Sequence, residues 1–143
     1  IGILAHAALV YPDLSARENL LLYARLHGAA DPAARVEALV ERFEIGRWGE
    51  RPARTYSRGQ LQRLGLARSL VHAPRLWLLD EPSTGLDRRA VERLLRTVET
   101  ERERGAIVAL ITHDPGLAAE LGDARLRLAR GRVVDGAAEG ARR

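Results

Sequence analysis

Tyr56-Ser-Arg-Gly-Gln60, an arginine-rich stretch, and then Leu76-Trp-Leu-Leu-Asp80-Glu81-Pro82-Ser-Thr-Gly-Leu-Asp87 make up the segment that decides the fold. Four apolar residues followed by two adjacent carboxylates and a proline read as a fully buried strand ending at Asp80. Ser57 and Gln60 form a capping box that opens a helix reaching about Val71, with Leu61, Leu64, Ala67 and Leu70 facing inward. Beyond the strand, Val91, Leu94, Leu95 and Val98 recur at helical spacing from Arg88 to Arg104, and Gly105 ends that helix. Ile107-Val-Ala-Leu-Ile111 is the next buried strand, leading to His113. Strands separated by helices imply an α/β fold with a mainly parallel sheet, whose functional groups gather at the carboxyl ends of the strands. Asp80, Glu81 and His113 stand at such ends.

Upstream, Ile1-Gly-Ile-Leu-Ala5 reads as another short buried strand, opening into a loop at His6. The stretch from Ala8 to Leu14 carries Pro12 and no helical period. Ser15 and Glu18 then make a capping box ahead of Asn19-Leu-Leu-Leu-Tyr-Ala-Arg-Leu-His27, and Gly28 closes that helix. A second helix runs from about Pro32 to Phe43, with Val36, Leu39, Val40 and Phe43 on one face. Gly46-Arg-Trp-Gly-Glu-Arg-Pro52 has the composition of a linker. Downstream, a helix near Pro115–Leu121 precedes two short strands, Arg125–Ala129 and Arg132–Val134, on either side of Gly131. Residues 136–143 read as a frayed tail.

The 143 residues suit one domain with a real core. A hydrophobic share of 46% with 29% charged residues argues against disorder. The apolar runs fall far short of the roughly 18 residues a membrane-spanning helix needs, and no secretory signal is visible. Without cysteine there is neither a disulfide framework nor a thiolate metal site. A net charge of +4 raises nucleic acid as a partner. Yet Arg88, Arg89, Arg93, Arg96, Arg102 and Arg104 alternate with Glu92, Glu99, Glu101 and Glu103, so these arginines read as solvated helix faces rather than a basic stripe. With aromatics at 4%, stacking platforms for single strands are few. The expectation is therefore no nucleic-acid partner.

A rigid strand end bearing a carboxylate is what a magnesium–phosphate site needs, and Asp80 is placed to hold Mg²⁺ directly or through water. Glu81, one residue on, can polarise an attacking water as a general base. Alone, such an Asp-Glu-Pro turn serves equally well as a helix cap. Ser57 to Gln60 set a hydroxyl, a glycine and free helix N–H groups at one terminus, which suits an anion, although a capping box does the same structural work without one. His113 could anchor the water against a terminal phosphate; a lone strand-end histidine is more often structural. A phosphate loop of the form GxxxxGK followed by Ser or Thr needs a lysine, and all 23 basic residues are arginines. With no methionine either, the expectation is the back portion of a larger domain whose phosphate loop lies elsewhere.

These ordered motifs closely resemble the ATP-binding subunits of ABC transporters, and the resemblance covers nearly the whole chain. The LSGGQ signature stands as Tyr56-Ser-Arg-Gly-Gln60, Walker B as Leu76 to Asp80 with Glu81 as the catalytic glutamate, the D-loop as Ser83 to Asp87, and the switch histidine as His113. The resemblance implies a P-loop NTPase (RecA-like) core over residues 1–10 and 73–135, N-terminally incomplete, and a small helical subdomain over 11–72 carrying the signature helix. It implies ATP and Mg²⁺, a head-to-tail dimer in which Ser57, Arg58, Gly59 and Gln60 act on ATP held by the other subunit, and Asp87 communicating across the interface. It further implies membrane-subunit partners, a peripheral position on the cytoplasmic face of the membrane, and ATP hydrolysis by the full-length protein rather than by this polypeptide alone.

Two positions depart from the family pattern. Arg58 replaces the second glycine of the signature, and His6 occupies the place of the Q-loop glutamine. His6 with the Tyr11-Pro-Asp-Leu-Ser-Ala-Arg-Glu-Asn-Leu20 segment is similar to the haem-exporter ATPases of cytochrome c maturation; multidrug and antibiotic exporters share the Glu-Asn-Leu element. Chromosome-maintenance and DNA-repair ATPases share signature and Walker B but insert long coiled coils or zinc modules between Q-loop and signature. Ser57 stands only 51 positions after His6, room for a small helical subdomain.

Overall fold

The computed structural model describes residues 1–138, which form two compact units, Ile1–Ile111 and a second beginning at Thr112. The first is built on three parallel strands, β1 (Gly2–Leu4), β2 (Leu76–Asp80) and β3 (Ile107–Ile111), in the order β1-β2-β3. Gly2 to Leu4 pair with Trp77 to Leu79, and Leu76 to Asp80 with Ile107 to Ile111. Four helices accompany them: α1 (Ala16–Leu26), α2 (Pro32–Arg42), α3 (Arg58–Ser69) and α4 (Arg88–Glu103).

Both capping boxes form. Ser15 accepts the Glu18 N–H while Glu18 accepts the Ser15 N–H, and Ser57 and Gln60 repeat the exchange at α3. The apolar positions of α2 are buried as their spacing requires, as are Leu94 and Val98 of α4. Around α3, Leu64, Leu66, Ala67 and Leu70 are all buried, so this helix is enclosed on more than one side. Its C-terminal turn carries Ser69, whose hydroxyl donates to the Leu66 carbonyl (2.7 Å) and accepts the indole N–H of Trp77 (2.8 Å). That chain of bonds lets the fully buried Trp77 satisfy its donor inside the core.

The two sheet faces differ. Leu4, Trp77 and Leu79 point into the core, whereas Ile3, Ile107 and Ile111 on the opposite face are 45%, 69% and 66% exposed. The expectation that β2 and β3 are buried on both faces is corrected: burial alternates along each strand.

The expected linker at Gly46–Pro52 is instead a short 3₁₀ helix, Gly46–Glu50. Its anchor is Tyr56, whose hydroxyl accepts the Ala16 N–H (3.0 Å) and lies 3.1 and 2.7 Å from the Gly49 and Arg51 carbonyls. Trp48 meets Tyr56 edge-on at 5.0 Å. Asn19, wholly buried, pins the loop before α1, accepting the Tyr11 N–H (2.7 Å) and donating to the carbonyls of Tyr11, Leu14 and Ser15.

The solvated-face reading of the arginines holds for Arg88, which pairs with Glu92 four residues on. It is corrected for Arg93, which is only 14% exposed and reaches Glu44 on another element; Arg104 is exposed and pairs with Glu101 three residues before it. Glu101 is buried and receives Arg42 (2.8 Å) and the Nε of Arg104 (2.9 Å), tying α2 to α4. Arg104 also donates to the Ala73 and Pro74 carbonyls, Arg35 to those of Val71 and Leu70, and Arg68 to those of Ala8 and Ile3. Planar guanidinium forks thus satisfy carbonyls left over where elements end.

In the second unit, Asp114 caps α5 (Pro115–Leu121) by accepting the N–H groups of Gly116 and Leu117. An antiparallel hairpin follows, β4 (Ala124–Ala129) and β5 (Arg132–Ala138). Its two turn residues, Arg130 and Gly131, have φ of +49° and +73°, which suits the right-handed twist of the strands. β5 takes in residues 136–138 of the expected tail; residues 139–143 lie outside the described residues.

Truncating Glu101 to alanine strands two guanidiniums that still reach solvent, so we expect a loss of about 2 kcal/mol in urea unfolding. The His72 ring stacks on His27 at 4.2 Å, and its buried Nδ1 has no partner. Burial, and then the charge of His27, hold its pKa below the usual histidine value, with Arg35 acting in the same direction and a bond to the Ile1 carbonyl opposing them. Folding therefore favours the neutral ring, and this contribution is present above the unfolded value of about 6.5 and lost as pH falls below it. The urea midpoint should drop between about pH 7.5 and 5.5, and drop less in His72→Leu.

Candidate functional site

A cleft of about 210 Å³ opens at the carboxyl ends of β1 and β2, lined by His6, Ala7, Ala8, Arg58, Leu61, Gln62, Asp80, Glu81 and Thr84. Four of the residues singled out from sequence, His6, Arg58, Asp80 and Glu81, thus meet in one place. Parallel pairing explains this: β1 and β2 run side by side, so the segments leaving them emerge at the same edge.

Asp80 is the last residue of β2 and is held by pairing opposite Ile111. Glu81 follows with φ of +47°, in the left-handed region that residues with a Cβ seldom adopt. Its N–H donates to the Ile111 carbonyl (2.9 Å), so the chain turns sharply while still bonded to β3. The two carboxylates are therefore aimed differently by the backbone itself. The turn continues with Thr84 N–H to Glu81 O (3.1 Å) and Leu86 N–H to Ser83 O (3.1 Å), and ends at Asp87, which caps α4 by accepting the Ala90 N–H (2.8 Å).

The signature segment packs against this turn. A Cβ on Gly59 would lie 2.5 Å from the Gly85 carbonyl oxygen, so only glycine allows α3 to start so close to the loop. The stem of Arg58 covers Gly85 from the other side, where a Cβ would sit 3.1 Å from the Arg58 Cγ. Ser57 and Gln60 are engaged in their capping box and stand outside the cleft lining, as do Gly59 and Asp87. His113 belongs to the second unit, next to Asp114 at the start of α5.

Gln62 escaped the sequence reading. Its Nε2 donates to the Glu81 and Pro82 carbonyls, both at 3.1 Å. The available signal was its spacing: Arg58, Leu61 and Gln62 lie at i, i+3 and i+4, one face of α3, and all three line the cleft.

As to metal, no group of three or more His, Asp or Glu side chains gathers among the described residues. Asp80 nevertheless fits Mg²⁺, a hard cation that takes one or two carboxylates and completes its shell with phosphate oxygens and water.

The ABC transporter family profile matches residues 1–84. The daunorubicin resistance ATP-binding protein DrrA3 of Streptomyces coeruleorubidus is 38% identical over 94% of this chain and 43% of its own length. The cytochrome c biogenesis ATP-binding export protein CcmA of Ruegeria pomeroyi is 40% identical over 86% of this chain and 59% of its own. The chain thus spans about half the length of the curated relatives it matches. Among solved structures, the ATP-binding cassette MJ0796, in a dimeric post-hydrolysis state bound to ADP and Pi, superposes with a TM-score of 0.87 at 26% identity, over 98% of this chain and 63% of that one. The parallel sheet and helices are those of such cassettes: the chain belongs to the ABC transporter family and has the α/β P-loop NTPase fold of its ATP-binding cassettes.

Proposed function

We propose that this chain supplies the hydrolytic half-site of an ABC transporter ATPase that powers export through membrane partners. The observation that carries the reading is the cleft in which His6, Arg58, Asp80 and Glu81 converge, with Glu81 on a strained turn beside a rigid strand end. Asp80 would hold Mg²⁺, which when bound neutralises charge on the β and γ phosphates. Glu81 accepts a proton from the attacking water as general base, and His113 orients that water. His6, at the Q-loop position, senses the nucleotide from the end of β1. Residues 1–10 and 73–135 act as the nucleotide-facing core, and residues 11–72 as the helical subdomain that meets the membrane partners.

In a head-to-tail dimer, Ser57, Gly59 and Gln60 would present hydroxyl, backbone and amide groups to ATP held by the other subunit, with Arg58 adding positive charge and Asp87 relaying occupancy across the interface. The solved structures of MJ0796, which this chain resembles, are dimeric, which supports a dimer of cassettes. No helix among the described residues is long and apolar enough to cross a membrane, in keeping with a peripheral subunit on the cytoplasmic face.

For cargo, the CcmA relatives support haem export in cytochrome c biogenesis. The reading favoured by DrrA3, which aligns over more of the chain, is drug export. Deleting the gene separates them: loss of c-type haem absorption supports the first, and loss of drug tolerance with cytochromes intact supports the second.

In the full-length protein, Glu81→Gln should slow ATP turnover by about 100-fold or more and trap an ATP-bound dimer detectable by size exclusion. Turnover near the wild-type rate would remove Glu81 from the role of base. His113→Ala should cut turnover and leave ATP binding intact; lost binding would make His113 structural. The 143-residue polypeptide, which has no lysine for a phosphate loop, serves as a control without turnover.

A further inference from the structure

We propose that Gln62 is the positioning residue for Glu81, and that through it the signature helix of one subunit sets the geometry of that same subunit's hydrolytic glutamate. The inference rests on Glu81 acting as the general base. A left-handed conformation at a residue with a Cβ persists only where its surroundings fix it. Here Ile111 O takes the Glu81 N–H, while the Gln62 amide donates one proton to Glu81 O and the other to Pro82 O, at 3.1 Å each. These are two successive carbonyls of the turn, and Pro82 has no N–H with which to bond in return.

The clamp sits on a helix that touches the same loop at a second point. Gly59, near the start of α3, is seated against the Gly85 carbonyl, closely enough to exclude a Cβ. Two contacts, Gly59 with Gly85 and Gln62 with Glu81 and Pro82, prevent α3 from tilting without dragging the loop 81–85. The first turn of α3 is also the segment proposed to engage ATP held by the partner. An event at that terminus reaches the backbone of Glu81 through little more than one helical turn, with no intervening loop. Gln62 would then report occupancy of one nucleotide site to the base of the other.

The test compares Gln62→Met, similar in length without a donor, and Gln62→Glu, similar in shape but repelling the carbonyls, in the full-length protein. A small displacement of a catalytic group costs about 10- to 100-fold in rate. Both variants should lower kcat by that order, with KM for ATP and the thermal midpoint unchanged. Hydrogen exchange at the Thr84 amide, bonded to the same Glu81 carbonyl, should quicken. Wild-type kcat in both variants would overturn the proposal, and so would losses that track a lower thermal midpoint, which mark Gln62 as scaffold. Failure of the underlying reading looks different: Glu81→Gln would keep its turnover, while Thr84 exchange would still report whether Gln62 holds the turn.

Discussion

Strand β2 is paired on both sides, and the rest of the first unit is arranged around that fact. β1 bonds to it as far as Leu79 and β3 as far as Asp80, so Asp80 is held by Ile111 on one edge and directly follows a residue paired on both. Its inward side chains, Trp77 and Leu79, set where α3 can lie, and the Trp77–Ser69–Leu66 chain of bonds locks the C-terminal end of that helix to the strand. The other end of α3 is held by the Gly59–Gly85 approach. One strand and one helix, fastened at both ends, therefore fix the walls of the cleft. A loop alone could not hold two carboxylates with the sub-ångström precision that their proposed chemistry needs.

Much of this was legible in the sequence because the signals were local. The capping boxes at Ser15/Glu18 and Ser57/Gln60 depend on residues three apart, and both form. The apolar run ahead of Asp80 marks a strand by its length and composition. An apolar run reports what a face prefers and not what covers it: on the outer face Leu76 and Leu78 of β2 are half-buried, and Ile107 and Ile111 of β3 stand open among the described residues. Convergence of His6 with Asp80 and Glu81 followed from parallel pairing.

What the sequence hid was tertiary. Gln62 looked like one more polar residue on a helix, since nothing local tells that its amide will meet two carbonyls some 20 residues on. The segment Gly46–Pro52 has linker composition, and only the contact of Tyr56 with Ala16, a 40-residue separation, shows why it is ordered. Arg93 and Arg104 alternate with glutamates along α4, and periodicity cannot tell that their partners include Glu44 and the carbonyls of Ala73 and Pro74.

Those arginines have a chemical consequence for the whole molecule. The chain has no lysine, so apart from its four histidines every basic side chain is a guanidinium, and ties at helix ends, α2 to α4 and α3 to the loop after β1, are made by them. A guanidinium holds its proton more tightly than an ammonium does, although burial lowers the pKa of Arg35 and Arg68. The framework is also blind to reagents that seek lysine: reductive alkylation and amine-directed crosslinking of this segment find no lysine side chain to modify.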